Sequence, residues 1–221
     1  MDSPSETARI LIVDDHPVFC LGMTELINRE PDLEVTACPE TADQALAIIQ
    51  KEMPSLLIVD ISLAQSNGLD LVSQVGRDFP DLPVLVLSMY DDAIYGERAF
   101  RAGARGYVMK QRAITQVVKA VRRVLNGGIH ASEHIKEKML NHMVKGGGKA
   151  HGTGPDCLTN RELEVFRLMG EGLESREIAV RLELSRKTIG THRENIRQKL
   201  QLKHYTELVK AAVQWVQENQ K

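Results

Sequence analysis

The chain has 221 residues, with 28 basic and 30 acidic side chains, a length that suits one large domain or two modest ones. No apolar run approaches the roughly 20 residues that span a bilayer, and the polar amino terminus is unlike a secretory signal, so we expect a cytoplasmic protein. Cys20, Cys38 and Cys157 are widely spaced and form no CxxC pair, which argues against a disulfide scaffold and a cysteine zinc site.

Residues 9–126 alternate short apolar runs with helix-like segments. Strands are predicted at 10–13, 33–37, 56–59, 84–87 and 107–109, and helices at 18–28, 41–51, 69–79, 93–102 and 114–125. Nearly continuous apolar strands that alternate with helices are typical of a parallel sheet covered on both faces. The sequence therefore predicts an α/β fold with a doubly wound, five-stranded parallel sheet.

Polar residues stand where the predicted strands end. Asp14 and Asp15 follow the first strand, Asp60 the third, Ser88 the fourth and Lys110 the fifth. The carboxyl ends of parallel strands meet at one edge of the sheet, so these side chains are expected to converge. Each residue alone has a plain alternative as a helix cap or surface group. Together they predict a site for a divalent cation and a phosphoryl group.

The chemistry of such a site assigns each residue a role. An aspartate accepts a phosphoryl group when its carboxylate lies in line with a phosphorus whose charge is neutralised, and Asp60 is the candidate acceptor. Asp15 is the expected direct ligand of Mg²⁺, and Asp14 binds it through water or from outside the first coordination sphere. Lys110 would pair with the phosphoryl group, and Ser88 would donate a hydrogen bond to it.

Residues 128–155 are predicted to hold one helix, at about 132–144, followed by the stretch GGGKAHGTGP, which is typical of a flexible tether. The Gly-Lys pair in that stretch lacks the Ser or Thr of a phosphate-binding loop, since Ala150 follows the lysine. His130 and His134 have a helical spacing but no evident third metal ligand, so solvated histidines are expected.

Residues 156–221 predict helices only. Thr159 and Glu162 form a capping box that starts the first helix near Asn160, and later helices are expected at 175–182, from just after Ser185 to about 200, and at 205–217. The very short turn between the second and third is typical of a helix-turn-helix unit, whose second helix enters the major groove of DNA. This region has 12 basic and 10 acidic residues, whereas residues 1–126 have 12 and 18.

The motifs ILIVDDHP, LLIVDISL, VLVLSMYDD and AFRAGARGYVMK, with the tail that begins LTNRELEVF, resemble the response regulators of the NarL/FixJ type. That resemblance covers nearly the whole chain and implies a flavodoxin-like receiver domain over 1–127, a linker over 128–155 and a LuxR-type helix-turn-helix domain over 156–221. It also implies a sensor histidine kinase as phosphodonor, Mg²⁺ as cofactor, double-stranded DNA as target and a homodimer in the active state.

The resemblance adds two residues to the acidic site. The backbone carbonyl of Ser62 would be the remaining Mg²⁺ ligand, and Tyr107 would be the aromatic switch residue, although a tyrosine of the core or surface is an alternative. One departure lies next to the site: receivers usually carry proline where this chain has Ala64, which predicts a looser loop and altered metal affinity or phosphoryl lifetime.

The predicted recognition helix combines phosphate anchors with small polar groups. Gly190 either permits close backbone approach to DNA or is a tolerated defect that costs roughly 1 kcal/mol relative to alanine. Glu194 either accepts from a cytosine amino group or, as we prefer, forms an ion pair on the helix surface. Expected phosphate contacts are Arg186, Lys187, Thr188, His192, Arg193 and Lys199, and the resemblance places Gly190, Thr191 and Glu194 toward the groove with Asn195 beside them.

The final helix is more apolar than packing on one face requires, so it is expected to join two DNA-binding domains, to pack within its own domain, or both. The favoured function is a phosphorylation-controlled transcription factor rather than an enzyme. One alternative is a constitutive dimerisation module whose phosphoryl site is rarely used. Another, an aspartate-based phosphohydrolase, is disfavoured because Ser62 stands where such enzymes carry a second acid.

Overall fold

The computed structural model describes residues 7–63, 66–90, 92–144 and 154–219, and the chain divides into two compact units, Met1–Leu140 and Asn141–Lys221. Ala64 and most of the predicted tether, residues 145–153, lie outside the described residues. None of the helices in the described parts combines the length and the apolar surface that spanning a membrane requires.

The first unit contains the predicted five-stranded parallel sheet, with the strand order β2-β1-β3-β4-β5. The chain runs outward from β1 in both directions, which creates a switch point between β1 and β3, where α/β folds bind ligands. The strands are β1 (Ala8–Val13), β2 (Leu33–Ala37), β3 (Leu56–Asp60), β4 (Val84–Ser88) and β5 (Gly106–Met109). The helices are α1 (Pro17–Asn28), α2 (Ala42–Lys51), α3 (Gly68–Asp78), α4 (Asp92–Ala102), α5 (Ala113–Leu125) and α6 (Glu133–Val144).

The central strands are buried on both faces because helices cover both sides of the sheet. Every residue of β3 and β4 is buried, which explains their continuous apolar sequences LLIV and VLVL. The same burial surrounds the polar residues that end these strands. The fold therefore places Asp60 and Ser88 at the border between the apolar core and one edge of the sheet.

The segment after α5 packs onto the first unit. The backbone of His130 accepts from Tyr107 N–H at 2.9 Å and donates to the Arg105 carbonyl oxygen at 3.0 Å, so it extends the sheet beside β5. Ile135 of α6 is buried against Gly96 of α4, where a larger residue would collide with the isoleucine side chain. The beginning of the predicted linker is thus part of a compact unit that reaches Leu140. The boundaries at 127 and 155 stay a prediction.

The second unit consists of helices α7 (Asn160–Gly170), α8 (Ser175–Arg181), α9 (Arg186–Lys199) and α10 (Tyr205–Asn219), after a short 3₁₀ turn at Gly154–Cys157. The predicted capping box of Thr159 and Glu162 begins α7. Glu183 has a φ of 52° in the tight turn between α8 and α9. The arrangement is the predicted helix-turn-helix.

Helix α10 packs against α7 within the second unit. Leu208, Ala212 and Val216 are buried, and Gly170 of α7 lies so close to the Ala212 carbonyl oxygen that a Cβ there would be 2.4 Å away. The rings of Phe166 and Trp215 meet with 5.8 Å between centroids. The intradomain packing considered for this helix is present, and its contact with a second copy stays a prediction.

Candidate functional site

The carboxyl ends of β1 and β3 and the residue after β5 converge on one buried charge network. Lys110 Nζ lies 2.6 Å from Asp14 Oδ2 and 2.7 Å from Asp60 Oδ2. Asp14 and Asp60 are each only 1% exposed, and Lys110 is 7% exposed. One ammonium therefore neutralises one of two buried carboxylate charges, and the network keeps an excess of negative charge.

The aspartates form a cluster suited to a hard cation. Ligand atoms of Asp14, Asp15, His16 and Asp60 all lie within 4.8 Å of one another. Asp60 Oδ1 is buried and has no hydrogen-bond partner among the described residues. A buried carboxylate oxygen without a donor carries a desolvation cost that a bound cation would remove. Oxygen ligands at such spacing fit Mg²⁺, which binds through one or two carboxylates and keeps several waters.

Burial changes the protonation behaviour of this network. Burial raises the pKa of Asp60 to about 6, and the neighbouring Asp14 adds to the rise, whereas Lys110 opposes it. Burial lowers the pKa of Lys110, but Asp60 and Asp14 outweigh burial and the net pKa is raised. Lys110 thus stays charged at neutral pH, while Asp60 is ionised at a cost in stability.

The loop after Asp60 is shaped by a short hairpin and a glycine. Ser62–Leu63 pairs antiparallel with Ser66–Asn67. A Cβ on Gly68 would lie 1.9 Å from the Asp60 carbonyl oxygen, so only glycine lets α3 begin this close to the site. Asn67 caps α3 by accepting from Leu69 N–H at 3.0 Å.

Ser88 and Tyr107 both form hydrogen bonds with the backbone of Tyr90. The fully buried Ser88 hydroxyl accepts from Tyr90 N–H at 3.0 Å, and the Tyr107 hydroxyl donates to the Tyr90 carbonyl oxygen at 3.0 Å. Tyr107 is 4% exposed, so its ring lies inside the unit in this structure. The two residues are therefore linked through the backbone of Tyr90.

In the second unit, α9 presents a polar surface while Ile189 and Ile196 anchor its buried face. Several predicted phosphate contacts have partners inside the domain. The Arg193 guanidinium lies 3.8 Å from the centroid of the Tyr205 ring and donates to the Ser175 hydroxyl, and Lys199 Nζ lies 2.6 Å from Glu162 Oε2. Exposed positions of the predicted set are Arg186, Lys187, Gly190, Thr191, Glu194, Asn195 and Lys199.

The remaining members of that set contribute to the helix itself. Thr188 shares a 2.8 Å hydrogen bond with the Ser185 hydroxyl at the start of α9. His192 is half-buried, and its pKa is lowered by burial and by the charge of Arg161. Glu194 accepts from Arg197 at 2.6 and 2.9 Å, and this pairing lowers the pKa of Glu194 to about 2. The ion pair preferred for Glu194 is therefore present. A Cβ placed on Gly190 would meet no atom of the described residues within 4 Å beyond its chain neighbours and the backbone of its own helix.

Comparisons with known proteins agree with both halves of this description. Residues 10–122 match the response regulator receiver domain, and residues 156–212 match the luxR family of bacterial regulatory proteins. The oxygen regulatory protein NreC of Staphylococcus carnosus (strain TM300) is 34% identical over 209 residues, which cover 93% of this chain and 96% of that protein. The chain belongs to the response regulators.

Solved structures of other response regulators are also similar to this chain. RcsB of Salmonella enterica serovar Typhimurium, bound to the promoter P1flhDC with the phosphomimetic BeF₃⁻, is 26% identical with a TM-score of 0.59, and the match covers 94% of this chain and 98% of RcsB. A LuxR-family regulator from Aurantimonas sp. SI85-9A1 is 29% identical with a TM-score of 0.57, over 63% of this chain and 99% of that one. The regulator is a phosphorylation-controlled, DNA-binding transcription factor of the NarL/FixJ type, with a histidine kinase as phosphodonor.

Two neighbours of the acidic site were missed from the sequence of this regulator. His16 Nδ1 lies 2.7 Å from Asp15 Oδ1 and 3.1 Å from Asp14 Oδ1, and Lys110 Nζ lies 4.4 Å from the centre of the Phe19 ring. The position of His16 directly after the two aspartates was the available signal. Phe19 gave none, because an aromatic residue at the start of a helix is ordinary core material.

Proposed function

We propose that Asp60 is the residue that accepts the phosphoryl group and that its phosphorylation controls DNA binding by α9. The observation that carries this proposal is the buried, unpartnered Asp60 Oδ1 in the aspartate cluster. A carboxylate oxygen without a donor keeps its lone pairs available for attack on phosphorus. The short distance from Asp60 to Lys110 adds a fixed positive charge beside the incoming phosphoryl oxygens.

The residues present fit a bound Mg²⁺. Asp14, Asp15, Asp60 and the backbone carbonyl of Ser62 would hold it, and when bound it neutralises charge on the phosphoryl oxygens. His16 lies beside two of these carboxylates and is well exposed.

The switch follows from three hydrogen bonds. Ser88 accepts from Tyr90 N–H and donates to no group among the described residues, so its hydroxyl proton is available to a phosphoryl oxygen on Asp60. A turn of Ser88 toward that oxygen would weaken its bond to Tyr90, whose carbonyl holds the Tyr107 hydroxyl. Phosphorylation then shifts the population of Tyr107 rotamers, and a coupling of about 1–3 kcal/mol gives a 5- to 150-fold change in DNA affinity.

The exposed residues of α9 divide the DNA contacts into two groups. Arg186 and Lys187 carry free positive charge for phosphates, while Thr191 and Asn195 offer polar groups to base edges, with Gly190 and Glu194 alongside. Lys199 and Arg193 already have internal partners, so they fix the helix and add charge to the same face.

RcsB dimers have been solved on DNA. We propose the same assembly for this regulator on double-stranded DNA, with a homodimer as the active form, because one half-site contact is weak. It acts as a regulator rather than an enzyme, and the expected cytoplasmic location stays a prediction.

The test is incubation of the full chain with acetyl phosphate and Mg²⁺, followed by intact mass and DNA-binding measurements. We expect an adduct of about 80 Da on the wild type, none on Asp60→Asn, and an unchanged adduct on Asp81→Asn, which alters an exposed acid. Only the wild type and Asp81→Asn should gain DNA affinity. A wild type that takes no adduct yet binds DNA would establish the constitutive alternative. Continuous phosphate release would instead indicate a phosphohydrolase.

A further inference from the structure

Two of the three cysteines lie together behind the acidic site. Cys20, on α1, is buried, and Cys38, directly after β2, is half-buried in the same apolar cluster. Cys38 Sγ is 3.5 Å from the hydroxyl of Thr24, which lies one helical turn after Cys20 on the same face of α1. Burial raises the pKa of Cys20 to about 12, and the neighbouring Cys38 adds to the rise. Thus two cysteines 18 positions apart in sequence are neighbours in one apolar cluster.

The backbone of Asp14 is held by Cys20 and by the residue that follows Cys38. The Cys20 thiol points at the Asp14 carbonyl oxygen, with 3.6 Å between sulfur and oxygen. Asp14 N–H donates to the carbonyl oxygen of Pro39, the residue after Cys38, at 3.2 Å. The peptide that carries one of the site's buried carboxylates is therefore fixed by the immediate surroundings of both thiols.

We propose that Cys20 and Cys38 form an oxidant-sensitive dithiol site, and that its disulfide slows phosphoryl transfer to Asp60. Neither Cys20 nor Cys38 takes part in the proposed phosphorylation chemistry, so both thiols are available for a separate reaction. The proposed oxidant is a hydroperoxide. The second half of the proposal rests on the proposed phosphorylation of Asp60, whereas the first half stands without it.

The chemistry balances with one hydroperoxide for each pair. Cys38 is the more accessible thiol, and its sulfur attacks the peroxide, so the O–O bond breaks, a sulfenic acid forms and one water or alcohol leaves. Cys20 sulfur then attacks the sulfenic sulfur, the S–O bond breaks and water leaves. Two thiols lose two electrons and two protons in total, and the peroxide is reduced by the same two electrons.

Disulfide formation would act on the site through geometry. The two sulfur atoms must approach to about 2 Å, which draws α1 toward the end of β2. Oxidation also removes the S–H group that points at the Asp14 carbonyl oxygen. Both changes displace the Asp14 peptide and with it a carboxylate that neighbours Asp60 and Lys110.

Thiol counting in the full chain tests the dithiol site. After exposure to one equivalent of hydrogen peroxide and denaturing alkylation, we expect the wild type to take up one alkyl group, at Cys157, instead of the three that the reduced chain takes. Peptide mapping should join Cys20 to Cys38. Cys20→Ser and Cys38→Ser should each abolish this bond, and Cys157→Ser should retain it. Uptake of three groups, or a bond that uses Cys157, would overturn the proposal.

The functional half is tested by the acetyl phosphate reaction on the same samples. Oxidised wild type should lose at least half of the phosphoryl adduct formed in a fixed time, and dithiothreitol should restore it. Cys38→Ser, which cannot form the bond, should be insensitive to peroxide. Equal adduct before and after disulfide formation would overturn this half. Failure of the reduced wild type to accept any phosphoryl group would refute the role of Asp60 and leave the thiol result intact.

Discussion

Charged side chains are buried at the acidic site and exposed on the recognition helix. In the first unit, Asp14, Asp60 and Lys110 are withdrawn from water and balance one another within 2.7 Å. On α9, Arg186 and Lys187 stand in solvent. Buried charges keep a fixed geometry but lower stability when one is removed or left unpaired, whereas solvated charges cost little until DNA replaces their water and counterions. Phosphoryl transfer requires buried charges at fixed positions, whereas binding to DNA requires charges that are exposed to solvent.

The sharpest contrast is between two lysines that each pair with carboxylates. Lys110→Met would leave two buried carboxylates without a cation, and we expect the free energy of unfolding to fall by about 3–5 kcal/mol without Mg²⁺. Lys199→Met removes a partly exposed partner of Glu162 and should cost about 1 kcal/mol or less.

Urea unfolding followed by circular dichroism reports both lysine variants. Fluorescence of Trp215, the sole tryptophan, reports the second unit. The loss in Lys110→Met should leave the Trp215 transition in place. Equal costs for the two lysines would remove the contrast between buried and solvated charge.

Two glycines give the next largest contrast. Gly68→Ala forces a Cβ against the Asp60 carbonyl oxygen, so we expect a loss of about 3 kcal/mol and a weaker phosphoryl adduct. Gly190→Ala enters open space inside a helix and should instead gain about 1 kcal/mol. Thermal unfolding measures both. If Gly190→Ala keeps its stability but loses DNA affinity, close backbone approach to DNA explains the glycine.

The protonation of Asp60 should make the free energy of unfolding depend on pH. In the folded chain its pKa is raised from 3.8 to about 6, so between these values the folded state holds a proton that the unfolded state has lost. Stability from this group therefore falls as pH rises through that window, by about 3 kcal/mol. Asp60→Asn should raise the free energy of unfolding at pH 7 and flatten the profile between pH 4 and 6. A steeper profile in Asp60→Asn would show that Asp60 is not the source.

The smallest expected effect on stability separates the two kinds of cation on α9. Lys187→Ala should change the free energy of unfolding by less than about 0.5 kcal/mol but lower the slope of log affinity against log salt by about 1, because one phosphate contact is lost. Arg193→Ala should lower stability as well, by about 1 kcal/mol, since it stacks on Tyr205. DNA titrations at several salt concentrations check both. An unchanged slope in Lys187→Ala would exclude it from the phosphate contacts.

Much of the first unit was predictable because its signals are local and repeated. The five apolar runs fixed the strands to within about two residues, and Asp14, Asp60 and Lys110 at their ends come together. The capping box at Thr159 and Glu162 was equally readable, because both partners lie within one helical turn. Patterns of this kind depend on burial and backbone geometry, which the order of residues encodes directly.

What the sequence left open depends on contacts between distant residues. Nothing local shows that Lys199 reaches Glu162 or that Arg193 stacks on Tyr205, so both were read as free phosphate contacts. The packing of the segment around His130 onto β5 was hidden for the same reason, since its composition resembles a linker. Cys20 and Cys38 likewise share one apolar cluster because α1 packs against β2.

The hydrogen bond from Tyr107 N–H to the His130 carbonyl connects the proposed switch residue to the segment after α5. Tyr107 is the residue whose ring is proposed to change rotamer. Its backbone N–H also binds the segment around His130, which leads into α6. A shift of β5 would therefore reach the segment that precedes α6 through this backbone hydrogen bond.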